Sequence, residues 1–390
     1  MLDIAIAGAG IGGLAAAALL AQAGHRVVVF ERFAVARPLG SGLVIQPVGL
    51  AVLDQIGAGA AARIYGAPVS RMLGHGADGS RVVLDVSYRI AAPGLAMHRA
   101  ALFEVLWQAV ARENVAVVTD ACIVAAPLVG DKRLIQLENG TTHGPYDLVV
   151  DASGTGSRLS PLVARALPYG AVWGTVPWPE TTLATDQLRQ RYHGASRMAG
   201  VLPVGRMPGD ARAHAAVFWS LPVARMADWQ ATPLAVWKAE AVALWPELAP
   251  FLAGVTRHDQ MTPARYTHGT LRRPFAPGLA MIGDAAHRAS PQLGQGANMA
   301  LLDAFALVQA LRGPMDDALP RYAASRRWHV RAYQAMSFVF TPMYQSDSRV
   351  LPVVRDRVLA PLAGVWPARG VLTRLVSGDM LPPVAGVAFP

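Results

Sequence analysis

The first thirty-one residues leave few folds open. Leu2 to Ala7 are almost all apolar and read as a buried strand of a parallel sheet. They run into Gly8-Ala9-Gly10-Ile11-Gly12-Gly13. Here Gly8 can make the tight turn, Gly10 can admit a pyrophosphate close to the backbone, and Gly13 can let the next helix pack against the strand. Leu14 to Ala23 are Ala/Leu-rich and read as that helix, with Gly24 closing it. A second strand, Val27 to Phe30, ends at Glu31, 18 residues after Gly13, where a carboxylate can accept both hydroxyls of an adenosine ribose. Three glycines alone fit a structural turn equally well. With the strand, the helix and Glu31 around them, a dinucleotide is the better reading.

A second glycine motif, Gly283-Asp284-Ala285-Ala286-His287, narrows the choice to FAD. A short apolar strand, Leu279 to Ile282, delivers Gly283 and Asp284 to its C-terminal edge, where open α/β sheets bind ligands. Pro291, Gly294 and Gly296 keep the backbone bare as far as Asn298, and Met299 to Leu311 read as a helix. Its N-terminal amides would favour the negative charge of a reduced isoalloxazine. The competing reading is an ordinary loop before a helix.

Between these motifs lies Asp147-Leu-Val-Val-Asp151-Ala-Ser153-Gly154-Thr-Gly156-Ser157-Arg158. With the three segments in this order, the chain resembles the group A flavoprotein monooxygenases, the aromatic hydroxylases with the p-hydroxybenzoate hydroxylase fold. The resemblance covers about residues 1 to 65, 95 to 160 and 270 to 335. It implies that Gly8, Gly10, Gly13 and Glu31, with Arg32 beside them, hold the AMP half of FAD. Arg99, in His98-Arg99-Ala-Ala-Leu102, would approach the cofactor and Asp284 would bind the ribityl chain. Ser153, Gly154, Gly283, Gly294, Gly296 and Asn298 would complete the cofactor site. Pro291 would flank the flavin's reactive edge with its backbone, the one position given a catalytic role. The implied chemistry is reduction of FAD by NAD(P)H, addition of dioxygen at C4a as a hydroperoxide, and passage of the distal oxygen to an electron-rich aromatic or hydrophobic small molecule. No protein nucleophile is required.

One departure stands out. The family usually has Asp-Gly where this chain has Ser153-Gly154, and that aspartate is linked to both FAD and NAD(P)H handling. Serine keeps a hydroxyl and loses the charge, so Ser153→Asp is expected to improve flavin reduction. A Ser-Gly pair also resembles flavin-dependent halogenases and prenyl reductases. The halogenase Trp-x-Trp-x-Ile-Pro motif is absent from this sequence. A prenyl-type reductase would share the serine yet consume no oxygen, and a non-catalytic binding module is the outside reading.

Composition agrees with a large packed protein: 390 residues, 53% hydrophobic and 16% charged. The net charge of +9 could suggest nucleic acid, but Lys132 and Lys238 are the only lysines and the arginines are scattered without a basic run. Nucleic-acid binding is therefore not expected. Cys122 stands alone, which excludes an intrachain disulfide and a cysteine-based zinc site and fits a reducing cytoplasm; no metal site is expected. The apolar N-terminus carries Asp3 in place of a basic region and is broken by the glycine turn, so it does not read as a signal peptide. No transmembrane segment is expected. The C-terminal stretch, with Arg355, Arg357, Arg369 and Arg374 among Leu, Val and Trp366, could form a basic amphipathic surface. A packed terminal helix is preferred over peripheral membrane contact.

The whole reads as an α/β protein: a Rossmann-like FAD-binding domain of the GR2 type, an inserted, mostly antiparallel substrate domain, and C-terminal helices. The cofactor domain is assigned to residues 1–70, 95–165 and 271–340, the substrate domain to 71–94 and 166–270, and the helical region to 341–390. Arg81 to Val86 and Lys132 to Glu138 read as strands, Arg99 to Arg112 as a helix, and Asn139-Gly140 as a hairpin turn. Short strands are expected near Val172 to Val176, Met198 to Pro203 and Ala213 to Leu221. Alternation pairs Met198 with Gly200 and Ala216 with Phe218 on one face each. These side chains, with His193, Arg197 and His214 as polar candidates, are the expected substrate residues, and core packing explains the apolar ones equally well. Met299 to Arg312 and Arg321 to Phe340 read as two helices, the second with Arg326, Arg327 and Arg331 on a solvated face.

Overall fold

A computed structural model describes residues 1–35 and 41–389. Strand Asp3–Ala7 sits inside a six-stranded sheet. Arg26–Phe30 and Ala116–Val118 lie to one side, with Leu148–Asp151, Leu279–Met281 and Phe275–Ala276 to the other. Every pair is parallel except the last. Apart from Asp3, Arg26 and Asp151 at strand ends, these strands are apolar because both faces are covered: Ile4, Ile6, Val29 and Val150 join one core, and Ala5, Ala7, Val149 and Met281 another. Register sets Ala7 beside Phe30 and Asp151, and Asp151 beside Met281. Consequently the glycine turn, the Ser153-Gly154 segment and the Gly283-Asp284 segment all leave the sheet at the same edge.

Helix Ile11–Gln22 is buried from Gly13 to Leu20, with helices Arg99–Arg112 and Gly296–Leu311 packed against it. An apolar surface on every side is what that position demands. Gly13 makes the close approach possible, since a Cβ there would lie 1.9 Å from the Gly8 carbonyl oxygen.

The second large sheet has eight strands, all antiparallel except for the pairing of Gln187–His193 with Arg71–Gly76. Its centre is formed by Arg165–Pro177, Asp210–Pro222 and Arg197–Met207, each longer than the sequence suggests because Pro203 and the internal glycines are accommodated within the strands. Alternation divides the sheet cleanly. Ala199, Val201, Val217 and Trp219 face Trp229, Trp237 and Phe251 of the covering helices, while Leu202 and Ala216 face Val44 and Ala96 of a small three-stranded sheet.

Two helix limits differ from expectation. The helix after the second glycine motif begins at Gly296, three residues before Met299, and the next runs Met315–Tyr344 with Pro320 inside it. Arg326 on this long helix is buried, not solvated: its Nε donates to Asp303 Oδ1 at 2.7 Å. Among the described residues no helix is long and apolar enough to cross a membrane, and no group of His, Cys, Asp or Glu could hold a metal ion.

Candidate functional site

A cavity of about 610 Å3 opens at the edge where the three motifs meet. Gly8, Gly10, Glu31, Arg32, Arg99 and Ser153 line it, as do Gly154, Gly283, Asp284 and Gly296. Ten of the fourteen cofactor positions expected from the sequence are thus brought to one cavity. At the first motif, Gly8 adopts φ +99°, and a Cβ would press on the Ala152 carbonyl. Gly10 and Gly296 differ: a Cβ on either would meet no protein atom within 4 Å. Both border the cavity, so the space a side chain would fill is left for a ligand, which is the cradle an extended dinucleotide needs.

Glu31 is anchored before any ribose arrives. Its carboxylate accepts from Ala9 N at 2.7 Å and from Phe33 N at 3.1 Å, fixing the glycine turn while leaving lone pairs on both oxygens. At the other end, Gly283 N donates to Asp303 Oδ2 at 2.9 Å, and His287 Nε2 lies 2.6 Å from the same oxygen. Asp303 is thereby the hub that sets the loop carrying Asp284. Burial raises its pKa, but His287 and Arg326 outweigh that and hold it down at about 2. Sequence reading missed Asp303, Arg326 and His287 as a unit; the only signal was the unexplained polar residue inside an apolar helix.

Ser153 does not present its proton to the cavity. Its hydroxyl and its backbone N–H both donate to Asp151 Oδ1, and Ser157 Oγ donates to Asp151 Oδ2 at 2.5 Å. Asp151 is fully buried at the end of its strand. The buried Asp151 carboxylate lies behind Ser153 and outside the cavity lining, so an aspartate at 153 would set two carboxylates against each other, which argues against the expectation that Ser153→Asp improves flavin reduction.

Asn298 is the clearest correction. Its Oδ1 accepts from Gln46 N at 2.8 Å, and its Nδ2 donates to Val44 O and Gly294 O, each at 3.0 Å. Fully spent on the protein, it staples the helix start to the small sheet. Gly13 lies behind the turn in helix packing. Pro291 is exposed outside the cavity lining, and Gly294 turns the chain at φ +62°. No geometry here gives Pro291 contact with the cavity.

The candidate substrate residues divide by face. Met198 and Phe218 pack together beside Trp173, whose ring centroid lies 4.4 Å from that of Phe218, and Ala216 packs on Val44. Gly200 is required there, since a Cβ would strike the Phe218 ring. His193 is exposed, and Arg197 stacks over Trp219 on the opposite face while donating to Ser220 O. His214 is held locally by Arg212 O and Asp210. Tyr266, unremarked in the sequence, lies on the same sheet. Its oxygen accepts from Trp173 Nε1 at 2.9 Å, burial pushes its pKa up to about 12, and it lies within electrostatic reach of Arg99. Burial lowers the Arg99 pKa, while the charge of Asp284 opposes the shift.

Comparison with known proteins decides the family. Residues 1–115 and 176–337 match the family described as "FAD binding domain". This chain belongs to that family, among the group A FAD-dependent monooxygenases. Within the family it is similar to "Probable 2-heptyl-3-hydroxy-4(1H)-quinolone synthase AqdB2" of Rhodococcus erythropolis, 26% identical over 92% of this chain and 91% of the relative. It is also similar to "Aurachin C monooxygenase/isomerase" of Stigmatella aurantiaca, 25% identical over 92% of this chain and 94% of the relative. In fold it matches Klebsiella pneumoniae HpxO complexed with FAD and uric acid, with a TM-score of 0.81, 21% identity and coverage of 97% and 98%. The monooxygenase is thus an FAD-dependent oxidoreductase, and the halogenase and reductase alternatives gain no support.

Proposed function

We propose that this monooxygenase uses NAD(P)H and dioxygen to hydroxylate an apolar aromatic heterocycle of the alkylquinolone kind. The observation that carries the reading is the position of Arg99: it lines the cofactor cavity while its charge acts on Tyr266, on the sheet whose Trp173, Phe218 and Met198 form an apolar aromatic cluster. The names of the two relatives, one a heptyl quinolone synthase and one an aurachin monooxygenase, support the substrate class.

FAD would be held by Glu31 at the adenosine ribose, by the amides of the Gly8 turn at the pyrophosphate and by Asp284 at the ribityl chain. When bound, it supplies the redox chemistry, taking a hydride from the nicotinamide and activating dioxygen. The protein's part is positioning. Tyr266 accepts from Trp173, so its own proton is free to be donated to a ring oxygen of the substrate, and with a pKa near 12 it remains a donor at neutral pH. Arg99 adds positive charge where the electron-rich ring would be oriented.

The test is NAD(P)H oxidation by the purified enzyme with 2-alkyl-4-quinolones, followed by product mass. Faster oxidation and a product one oxygen heavier are expected. Reduction of a carbon–carbon double bond without oxygen uptake would overturn the reading in favour of a reductase. Tyr266→Phe should raise KM about tenfold, the loss of one hydrogen bond to substrate, with FAD affinity unchanged.

A further inference from the structure

We propose that the C-terminal helical face is a docking surface for an anionic lipid bilayer. Residues Leu351 to Ala363 form one continuous helical segment whose middle turn, Arg355–Leu359, is a π-helix. That turn lengthens the repeat towards four residues. Val350, Val354, Val358 and Leu362 therefore stay on one stripe, and all four are exposed, Val350 to 68% and Leu362 to 55%. Val353, Arg357 and Pro361 form the adjoining stripe and are exposed as well. The segment is firmly held from behind. Arg355, expected to join the basic surface, is buried: it stacks on Tyr192 and Tyr344 and donates to Met343 O at 2.7 Å and Gly194 O at 3.1 Å. What faces outward is a fixed apolar ridge.

The ridge continues into the next turn at Val365 and Trp366, the latter 86% exposed. Trp366 borders a surface cavity of about 500 Å3 that also involves Arg89, Arg369 and Arg374. Arg89 is paired with Asp379 at 2.8 Å. Arg349, Arg357, Arg369 and Arg374 make no ion pair among the described residues, and from residue 349 to 374 no acidic side chain is exposed. Asp356, the single acid in that stretch, is half-buried and bound to Arg355. Within residues 349 to 374 every exposed charge is positive.

Charge identifies the occupant. Aliphatic side chains with an exposed tryptophan and arginines of one sign fit the boundary between acyl chains and anionic headgroups, where the rings and arginine stems insert and the guanidinium groups meet phosphates. A second copy of this chain would bring the same four arginines against one another. With no membrane-spanning helix among the described residues, the attachment is peripheral. It does not depend on the substrate proposed above.

Flotation of the FAD-loaded enzyme with phosphatidylcholine vesicles and with vesicles containing phosphatidylglycerol tests this. Binding is expected to the anionic vesicles alone and to fall with salt. Arg357→Ser/Arg369→Ser/Arg374→Ser should weaken it roughly a hundredfold. Leu362→Ser/Trp366→Ser should weaken it as well, while Val163→Ser, at an exposed apolar residue outside the segment, should not. Trp366 fluorescence, taken as parent minus Trp366→Phe, should be quenched by brominated anionic lipid. The parent protein alone decides the matter if a variant fails to fold: equal binding to both vesicle types, or to neither, overturns the proposal. A lipid-free dimer that Leu362→Ser/Trp366→Ser dissociates would overturn it too, by assigning the face to a second copy.

Discussion

In the Asp151–Ser153 pair a buried carboxylate holds the loop from behind while the serine stands at the cavity. Asp151 is fully buried and accepts three hydrogen bonds from its own segment, so it shapes the loop that borders the cofactor cavity. Ser153→Asp should bind FAD more weakly than the parent and reduce more slowly, because one of two adjoining carboxylates must take up a proton or turn away. Anaerobic stopped-flow reduction checks the rate, and faster reduction would refute the account. The Asp284 side chain, by contrast, makes no hydrogen bond to protein among the described residues and lines the cavity. Asp284→Ala should leave the fold intact and lose about 1.5–3 kcal/mol of FAD affinity, read by titrating the apoprotein. Glu31→Ala should lose as much or more, since the amide of Ala9 in the glycine turn also loses its carboxylate acceptor.

Among elements, the contact between helices Gly296–Leu311 and Met315–Tyr344 carries the buried charges. Asp303 from the first meets Arg326 from the second, both nearly free of solvent. Asp303→Asn would leave the guanidinium buried with its charge uncompensated, at a cost of about 3–5 kcal/mol in urea unfolding. Acid should act on the same contact. His329, one turn after Arg326, donates from Nε2 to Gly378 O at 2.9 Å; burial, then the Arg326 charge, lowers its pKa to about 3. In the unfolded chain a histidine takes up its proton near pH 6.5. The unfolded state thus binds more protons, and stability should fall as pH drops from about 6.5 towards 3. Asp303, held near 2, adds a further loss below about pH 4 as the unfolded carboxyl protonates first. Thermal melts across this range test both, and His329→Gln should flatten the upper part of the slope.

This contact also marks where sequence reading stops. The strand, glycine turn and helix at the N-terminus are legible because each is dictated locally: apolar run, missing Cβ, Ala/Leu stretch. Arg326 looks solvated because its partner is 23 residues away on another helix, and helical spacing within one element carries no trace of that. Asn298 misleads for a similar reason, since two of its partners, Gln46 and Val44, come from the far end of the chain. Tyr266 was invisible altogether; only the pairing of its strand with Arg165–Pro177 brings it to Trp173.

At the scale of the molecule, FAD is expected to be part of what holds the chain together. Glu31 and Asp284 belong to segments 253 residues apart that meet at one cavity. A ligand bound by both stabilises only the folded state, so free FAD at about 100 times its Kd should add about 2.7 kcal/mol. Differential scanning of apo and FAD-loaded protein measures it, and the flavin should be released intact as FAD on denaturation.

The order of the central sheet has a consequence for how the protein is made. Strand Asp3–Ala7 emerges first, yet one of its two neighbours is Leu148–Asp151, and that strand in turn waits for Leu279–Met281. At about 5–20 residues per second, the ribosome takes on the order of ten seconds to a minute to deliver the last of these. Through that interval an apolar strand with an unpaired edge stands exposed on the nascent chain. The yield of active enzyme should therefore respond to translation speed and chaperone supply more strongly than its final stability suggests.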